Sequence, residues 1–314
     1  MSRSRPSDAP QQPPLPHVLW IGGPPGAGKT TVARLIARRY GLRWYNADAH
    51  TWEHRDRAIA AGHPAAIRFE ALPRAARWSV PEAELIAMSL HHERGRMIVD
   101  DLRALPAAPL VIAEGTPITP AVVATVPGGP AASVWLQPSA EVQRTRLAER
   151  GLSDGPLTLY RSLVGEIEAE VAEYGARSLV IDGASGVEET SAAVEKIFAG
   201  ALGEGPVAET AGQRARLLRY ANRATVAQYE AFFARPWSPG DARTAVHAFA
   251  CECGRADCRD DIGLAIADFP APPDDAASPP VLAPGHHRAQ GVPDGPLSRR
   301  RPAADSTGRG RPSE

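Results

Sequence analysis

Gly23-Pro24-Pro25-Gly26-Ala27-Gly28-Lys29-Thr30 is the stretch on which the fold turns. It fits G-x-x-x-x-G-K-[ST] in full. Glycines at 23, 26 and 28 let the backbone wrap closely and aim N–H groups at phosphate oxygens. A helix opening near Lys29 adds its positive dipole end. Lys29 is then placed for the β and γ phosphates, and Thr30 for Mg²⁺. A plain glycine turn before a helix has a similar composition. Here, however, the loop follows a short apolar run, residues 17–23 (HVLWIGG), and precedes a helical pattern, residues 29–40. Of 35 basic residues only Lys29 and Lys196 are lysine, and one stands at the required position.

Working outward, strands alternate with helices. Residues 43–46 read as a second strand, and 82–105 as one long helix with Leu85, Ile86, Met97, Ile98, Leu102 and Leu105 facing a core. LVIAEG (110–115) is a buried strand ending in an acid, and SVWLQ (133–137) is another. Helices follow at 139–150, with Ser139 as cap, and at 157–174. SLVIDG (178–183) and the helix at 186–198 close the series. The alternation predicts an α/β fold, a parallel sheet with helices on both faces.

The organisation expected is a disordered tail at 1–16, a P-loop domain at 17–200 and a linker at 201–212. A helix plus a small cysteine-bearing unit then occupies 213–290, before a disordered tail at 291–314. Proline marks the tails: of 31 in 314 residues, five fall in 1–16 and ten in 270–314. Three cysteines exclude a disulfide framework and point to a reducing, cytoplasmic setting. No apolar run reaches the ~18 residues of a membrane span, and the N-terminus carries no secretory signal. A formal charge of −1 argues against a general nucleic-acid binder, and the basic run at 298–302 (SRRRP) is too short to change that.

Residues 17 to about 199 resemble the P-loop kinases of nucleosides, nucleotides and other small molecules. VIAEG (111–115) resembles the strand these proteins place beside the loop. Residues 134–151 resemble their strand and arginine-bearing lid, and LVIDGASG (179–186) their turn near the adenine base. No N-K-x-D guanine motif is present, which argues against a GTPase. The resemblance implies ATP and Mg²⁺ as cofactors, with a nucleotide site of Gly23, Gly26, Ala27, Gly28, Lys29, Thr30, Thr31 and Arg144. It implies that Asp48 contacts the acceptor hydroxyl, where a carboxylate takes up the leaving proton. An Asp before a helix also serves as a cap. Glu114, at the end of its strand, is suited to hold Mg²⁺ or orient the acceptor. Arg146 and Arg150, four apart on the lid helix, would stabilise charge in transfer. His54, Arg55 and Arg57 would bind an anionic acceptor, although a solvated helix face is the commoner role of such residues.

All three cysteines fall in FACECGRADC, at 251, 253 and 258. Structural zinc takes four ligands, and His247, His286 and His287 are at hand. The segment resembles a small bacterial cassette with CEC, a later Cys and then PGH. That resemblance implies His286 as fourth ligand and a Cys₃His zinc site. The sequence therefore supports an ATP-dependent phosphotransferase for a small-molecule or nucleoside hydroxyl. The alternative is a nucleotide-responsive regulator or adaptor whose cysteine cassette contacts a protein partner.

Overall fold

The structure is a computed structural model, described over residues 15–271 and 277–288. The chain runs β1 (Val18–Gly22), α1 (Lys29–Tyr40), β2 (Arg43–Asn46), α2 (Thr51–Ala60), α3 (Pro64–Ala71), α4 (Glu82–Ser89) and α5 (His91–Ala104). Next come β3 (Val111–Glu114), α6 (Pro120–Ala124), β4 (Ser133–Pro138), α7 (Ala140–Glu149), α8 (Asp154–Glu173), β5 (Ser178–Ile181), α9 (Val187–Ile197) and α10 (Ala199–Glu204). The last elements are α11 (Ala211–Phe233), β6 (Val246–Ala250) and β7 (Asp261–Ala265).

Five strands form one parallel sheet in the order β2-β3-β1-β4-β5. Helices cover both faces, so the inner strands β1, β3 and β4 are buried at nearly every position rather than on alternate residues. On one face Leu19, Ile21, Ile112 and Leu136 pack with Val32 and Ile36 of α1 and Val194 of α9. On the other, Trp20, Val111 and Trp135 pack with Ile98 and Leu102 of α5 and Ile167 of α8. The pattern is that of a P-loop α/β fold, a parallel sheet with helices on both faces, as expected.

The register places the chemistry. Glu114, last in β3, pairs with Ile21 of β1 on one side and Asn46 of β2 on the other. The phosphate loop leaves β1 after Gly22, and Asp48 follows β2 by two residues. Three chain segments thus reach the carboxyl end of the sheet together, where open α/β sheets bind ligands.

Three details depart from expectation. The helix expected at 82–105 is two helices, broken at Leu90, whose φ of 59° lies in the left-handed region. Leu90 is buried, so apolar periodicity continued through a break that only the backbone records. The stretch 201–212 is not a free spacer. Leu202, Val207 and Ala208 are buried, and Leu110 N–H donates to the Pro206 carbonyl at 2.8 Å. The Cys-bearing unit opens on an antiparallel β6–β7 hairpin, which sequence periodicity did not reveal.

α11 ties this unit to the sheet. Its buried Asn222 donates to the Ala250 carbonyl at 3.0 Å and to Glu252 at 2.7 Å, and accepts from Ala250 N–H at 2.9 Å. Val226 of α11 joins a second small core with Phe249, Ile266, Phe269 and Val281. On the opposite flank Gln228 accepts from Trp52 N–H at 3.0 Å, and Arg235 pairs with Asp56 at 2.6 Å. Asp261 in the hairpin pairs with Arg34 and Arg38 of α1 at 2.6 and 2.8 Å. The tail at 291–314, with its basic run at 298–302, and residues 1–14 of the tail at 1–16 lie outside the described residues. Among the described residues, no helix is long and apolar enough to cross a membrane.

Candidate active site

The phosphate loop bends through left-handed backbone at Gly23, Gly26 and Gly28. At Gly23 the need for glycine is strongest, because a Cβ there would stand 2.3 Å from the Leu136 carbonyl oxygen of β4. Lys29, at the start of α1, is buried, and its ammonium donates to the Pro24 carbonyl at 2.9 Å and to Thr116 at 3.3 Å. Burial pulls its pKa down, against the opposing pull of Glu114 and Asp48. The cation is thus held inside the loop's own curve, where phosphates bind in P-loop proteins.

Thr30 donates its hydroxyl to both oxygens of Glu114, at 3.1 and 3.2 Å. Glu114 is fully buried. Burial, with Asp48 adding to it, pushes its carboxyl up to about 8, while Lys29 and the Thr30 hydrogen bond hold it down. A buried carboxylate destabilised by a second carboxylate is a pair that a hard cation would relieve. The oxygen donors of Thr30 and Glu114, with Asp48 nearby, fit Mg²⁺ on that ground.

Asp48 is exposed and sits in a single 3₁₀ turn, Ala47–His50. The cap of that turn is Asn46, whose side chain accepts from Asp48 N–H at 2.9 Å. The Asp48 carboxylate makes no hydrogen bond among the described residues. It lines a cavity of about 550 Å³ together with Lys29, Thr30, Thr31, Thr116 and Arg150.

α7 meets the loop. Arg146 donates to the Gly26 carbonyl at 2.9 Å and Gln143 to that of Pro25 at 3.3 Å. Arg150, just past α7, lines the large cavity. A second cavity, of about 370 Å³, lies between the loop and α7 and is lined by Ala27, Thr31, Arg146, Ile181 and Gly186. The two cavities share Gly26, Gly28, Thr31 and Arg150. Arg144 is exposed and lines neither of them.

The expectation for α2 needs correction. His54 and Arg55 are buried rather than on a solvated face, at 0% and 4% exposure. His54 meets Asp101 of α5 at 2.7 Å, and Arg57 and Tyr45 also bind that carboxylate. These two basic residues therefore brace α2 against α5. Arg55 instead lines the large cavity. Reasoning from the sequence missed Arg77, Arg94 and His91, all buried and all lining the same space. A signal existed: His91, Arg94, Ile98 and Leu102 recur at helical spacing on one stripe, so the basic pair occupied core positions. Also missed were the aromatic wall and its source. Trp52, Phe69 and Trp78 come from the region between β2 and α4, whereas Phe232 and Trp237 come from α11 and its end.

The cysteines gather far along the chain. Sγ of Cys251, Cys253 and Cys258 and a ring nitrogen of His286 all lie within 4.8 Å of one another. His286 Nδ1 stands 3.3 Å from Cys251 Sγ and 3.6 Å from Cys258 Sγ. Ala283 N–H donates to Cys251 Sγ at 3.3 Å. Three sulfurs and one imidazole at this spread fit tetrahedral zinc, and the N–H donation suits a thiolate. His247 is outside the cluster, packed against Tyr229 and Phe249.

No family model matches the chain. A UPF0200 protein of Pyrobaculum aerophilum is 26% identical over 188 residues, which span 58% of this chain and 97% of that protein. Among solved structures, a sugar kinase from Janibacter sp. is similar over 59% of this chain and 95% of its own, at 22% identity and a TM-score of 0.34. A shikimate kinase from Acinetobacter baumannii, solved with shikimate, is similar over 59% of this chain and 94% of its own, at 21% identity and a TM-score of 0.35.

Proposed function

We propose that this protein is an ATP-dependent phosphotransferase acting on the hydroxyl of a small molecule. One observation carries the reading. A single cavity of about 550 Å³ is lined by Lys29 and Thr30, by Asp48 and by an aromatic wall that includes Trp52, Phe69 and Trp237, and it is large enough for a metabolite. ATP would lie with its phosphates on the loop amides and Lys29, and its base in the smaller cavity beside Ile181 and Gly186. Thr30 and Glu114 would hold Mg²⁺, which would neutralise phosphate charge. Asp48 would accept the acceptor's proton as its oxygen attacks the γ phosphorus. Arg146 and Arg150 would stabilise charge on the transferring group. Arg144 has no part in this arrangement.

The appended unit bears on the choice between enzyme and adaptor. Gln228, Phe232 and Trp237 line the large cavity, so the unit completes a small-molecule site. That favours the enzyme. Zinc on Cys251, Cys253, Cys258 and His286 would be structural, because all four positions are taken by protein. The adaptor reading keeps one support, the Asp261 ion pairs to α1, which join the hairpin to the helix behind the phosphate loop.

The test is ADP formation from Mg·ATP by the purified chain across sugars, nucleosides and hydroxy acids. Acceptor-dependent ADP release, abolished by Lys29→Ala, supports the enzyme. ATP binding without transfer, joined to nucleotide-dependent capture of a protein through residues 213–290, would favour the adaptor.

A further inference from the structure

The large cavity carries information about its occupant. Arg55 is 4% exposed and lines the cavity. Its Nη2 donates to the Met88 carbonyl at 2.8 Å, while Nε and Nη1 have no hydrogen-bond partner among the described residues. Guanidinium presents five donors in a planar fork that matches a carboxylate or phosphate. A buried guanidinium with two of its three nitrogens unpartnered is an incomplete site. His91 adds to this: it is 2% exposed, lines the same cavity, and its Nε2 is also unpartnered.

The charges are unbalanced in the same sense. Arg55, Arg74, Arg77, Arg94 and Arg150 line the cavity with Lys29, against the single carboxylate of Asp48. Glu70, the acid whose charge acts on Arg55, is taken up by Arg235 at 3.3 Å and by the Trp237 indole N–H at 2.6 Å, and Glu114 is engaged by the Thr30 hydroxyl. Burial pushes Arg55 down to about 10, with Arg235, Arg94 and Arg77 adding to the fall. It stays charged at neutral pH all the same.

The third observation is the wall. The Arg55 guanidinium lies 3.7 Å from the Phe69 ring centre, and that of Arg77 lies 3.8 Å from the Trp237 ring centre. Arginines stacked on rings present flat surfaces whose edges remain free for hydrogen bonds.

We propose that the acceptor is an anionic hydroxyl compound built on a flat ring, with its carboxylate or phosphate on Arg55 and its ring against the aromatic wall. This rests on the phosphotransferase reading and narrows it. ATP does not supply this anion in that reading, since its phosphates lie on the loop amides, whereas Arg55 is on α2 and bonded to α4.

Tryptophans in the wall allow a direct test on the full chain. Intrinsic fluorescence is followed with Mg²⁺ and a non-hydrolysable ATP analogue bound, while phenyl phosphate, benzoate or benzyl alcohol is added. At least one anion quenches saturably, and neutral benzyl alcohol binds about tenfold or more weakly. The tighter of the two anions identifies the group. Arg55→Met and Arg55→Lys each weaken the anion about tenfold or more, and analogue affinity stays within about twofold. The lysine variant keeps the buried charge and so tests the fork even if the methionine variant does not fold. Equal binding of benzyl alcohol, unchanged anion binding in both variants, or displacement of the anion by pyrophosphate overturns the proposal. With analogue bound, those results sink only the acceptor class. Failure of the analogue itself to bind sinks the phosphotransferase reading beneath it.

Discussion

Thr30 and Glu114 are 84 positions apart in the chain, yet the threonine hydroxyl donates to both carboxylate oxygens at 3.1 and 3.2 Å. Parallel pairing of β1 with β3 brings them together, by setting Ile21 opposite Glu114. In the proposed enzyme these oxygens are the protein's share of the Mg²⁺ shell. Glu114→Gln is expected to keep ATP binding without Mg²⁺ and to lose about tenfold or more of the tightening that Mg²⁺ brings. Calorimetric titration with and without Mg²⁺ measures this. An unchanged Mg²⁺ effect would remove Glu114 from the site.

The same carboxyl sets a pH dependence. Its ordinary pKa of 4.5 rises to about 8 in the folded chain, chiefly through burial. Between those values the unfolded chain has lost a proton that the folded chain keeps. Stability from this group is therefore full below pH 4.5 and declines as pH rises toward 8. The slope is at most about 1.4 kcal/mol per pH unit. Glu114→Gln should flatten it, which denaturant melts at pH 5, 6, 7 and 8 would reveal. A variant with the parent slope contradicts the assignment.

Gly23 is expected to tolerate no side chain. Its φ of 129° and the 2.3 Å approach to the Leu136 oxygen both act against a Cβ. Gly23→Ala should cost roughly 1–3 kcal/mol and weaken ATP at the same time. Thermal melting and nucleotide titration on one sample check both halves. A variant as stable as the parent would show that the loop relaxes there.

The C-terminal unit should matter to the acceptor more than to ATP. Metal analysis is expected to give one zinc per chain, and Cys253→Ser or a strong chelator should remove it. Loss should loosen α11, because Asn222 holds the Ala250 carbonyl beside the cysteines. The expected signature is an acceptor KM raised about tenfold with ATP affinity nearly unchanged. Trp237→Ala should show the same split without touching the metal. Equal losses for ATP and acceptor would make the unit a general stabiliser.

Legibility in the sequence followed locality. The phosphate loop is contiguous, so its eight residues carry their own meaning. Glu114 and Asp48 could be placed because strand ends mark the ligand edge of such sheets. Arg55 and Arg94 were harder, since a basic residue on a helix is usually solvated and burial is decided by partners elsewhere. The break at Leu90 left no glycine or proline to announce it. Trp237 was beyond reach: its place in the cavity depends on α11 folding back across α2, a long-range contact without local pattern. His286 stood out only through the resemblance, because 27 residues separate it from Cys258.

The most direct measurement of the central claim is transfer of the γ phosphate from labelled Mg·ATP to a panel of ring-bearing hydroxy acids and phosphates. The chain should label at least one acceptor. Asp48→Asn should lower that rate about 10²-fold or more while ATP affinity stays within about threefold. Tight ATP binding with no labelled product from any acceptor, or an Asp48→Asn variant as active as the parent, would contradict the account.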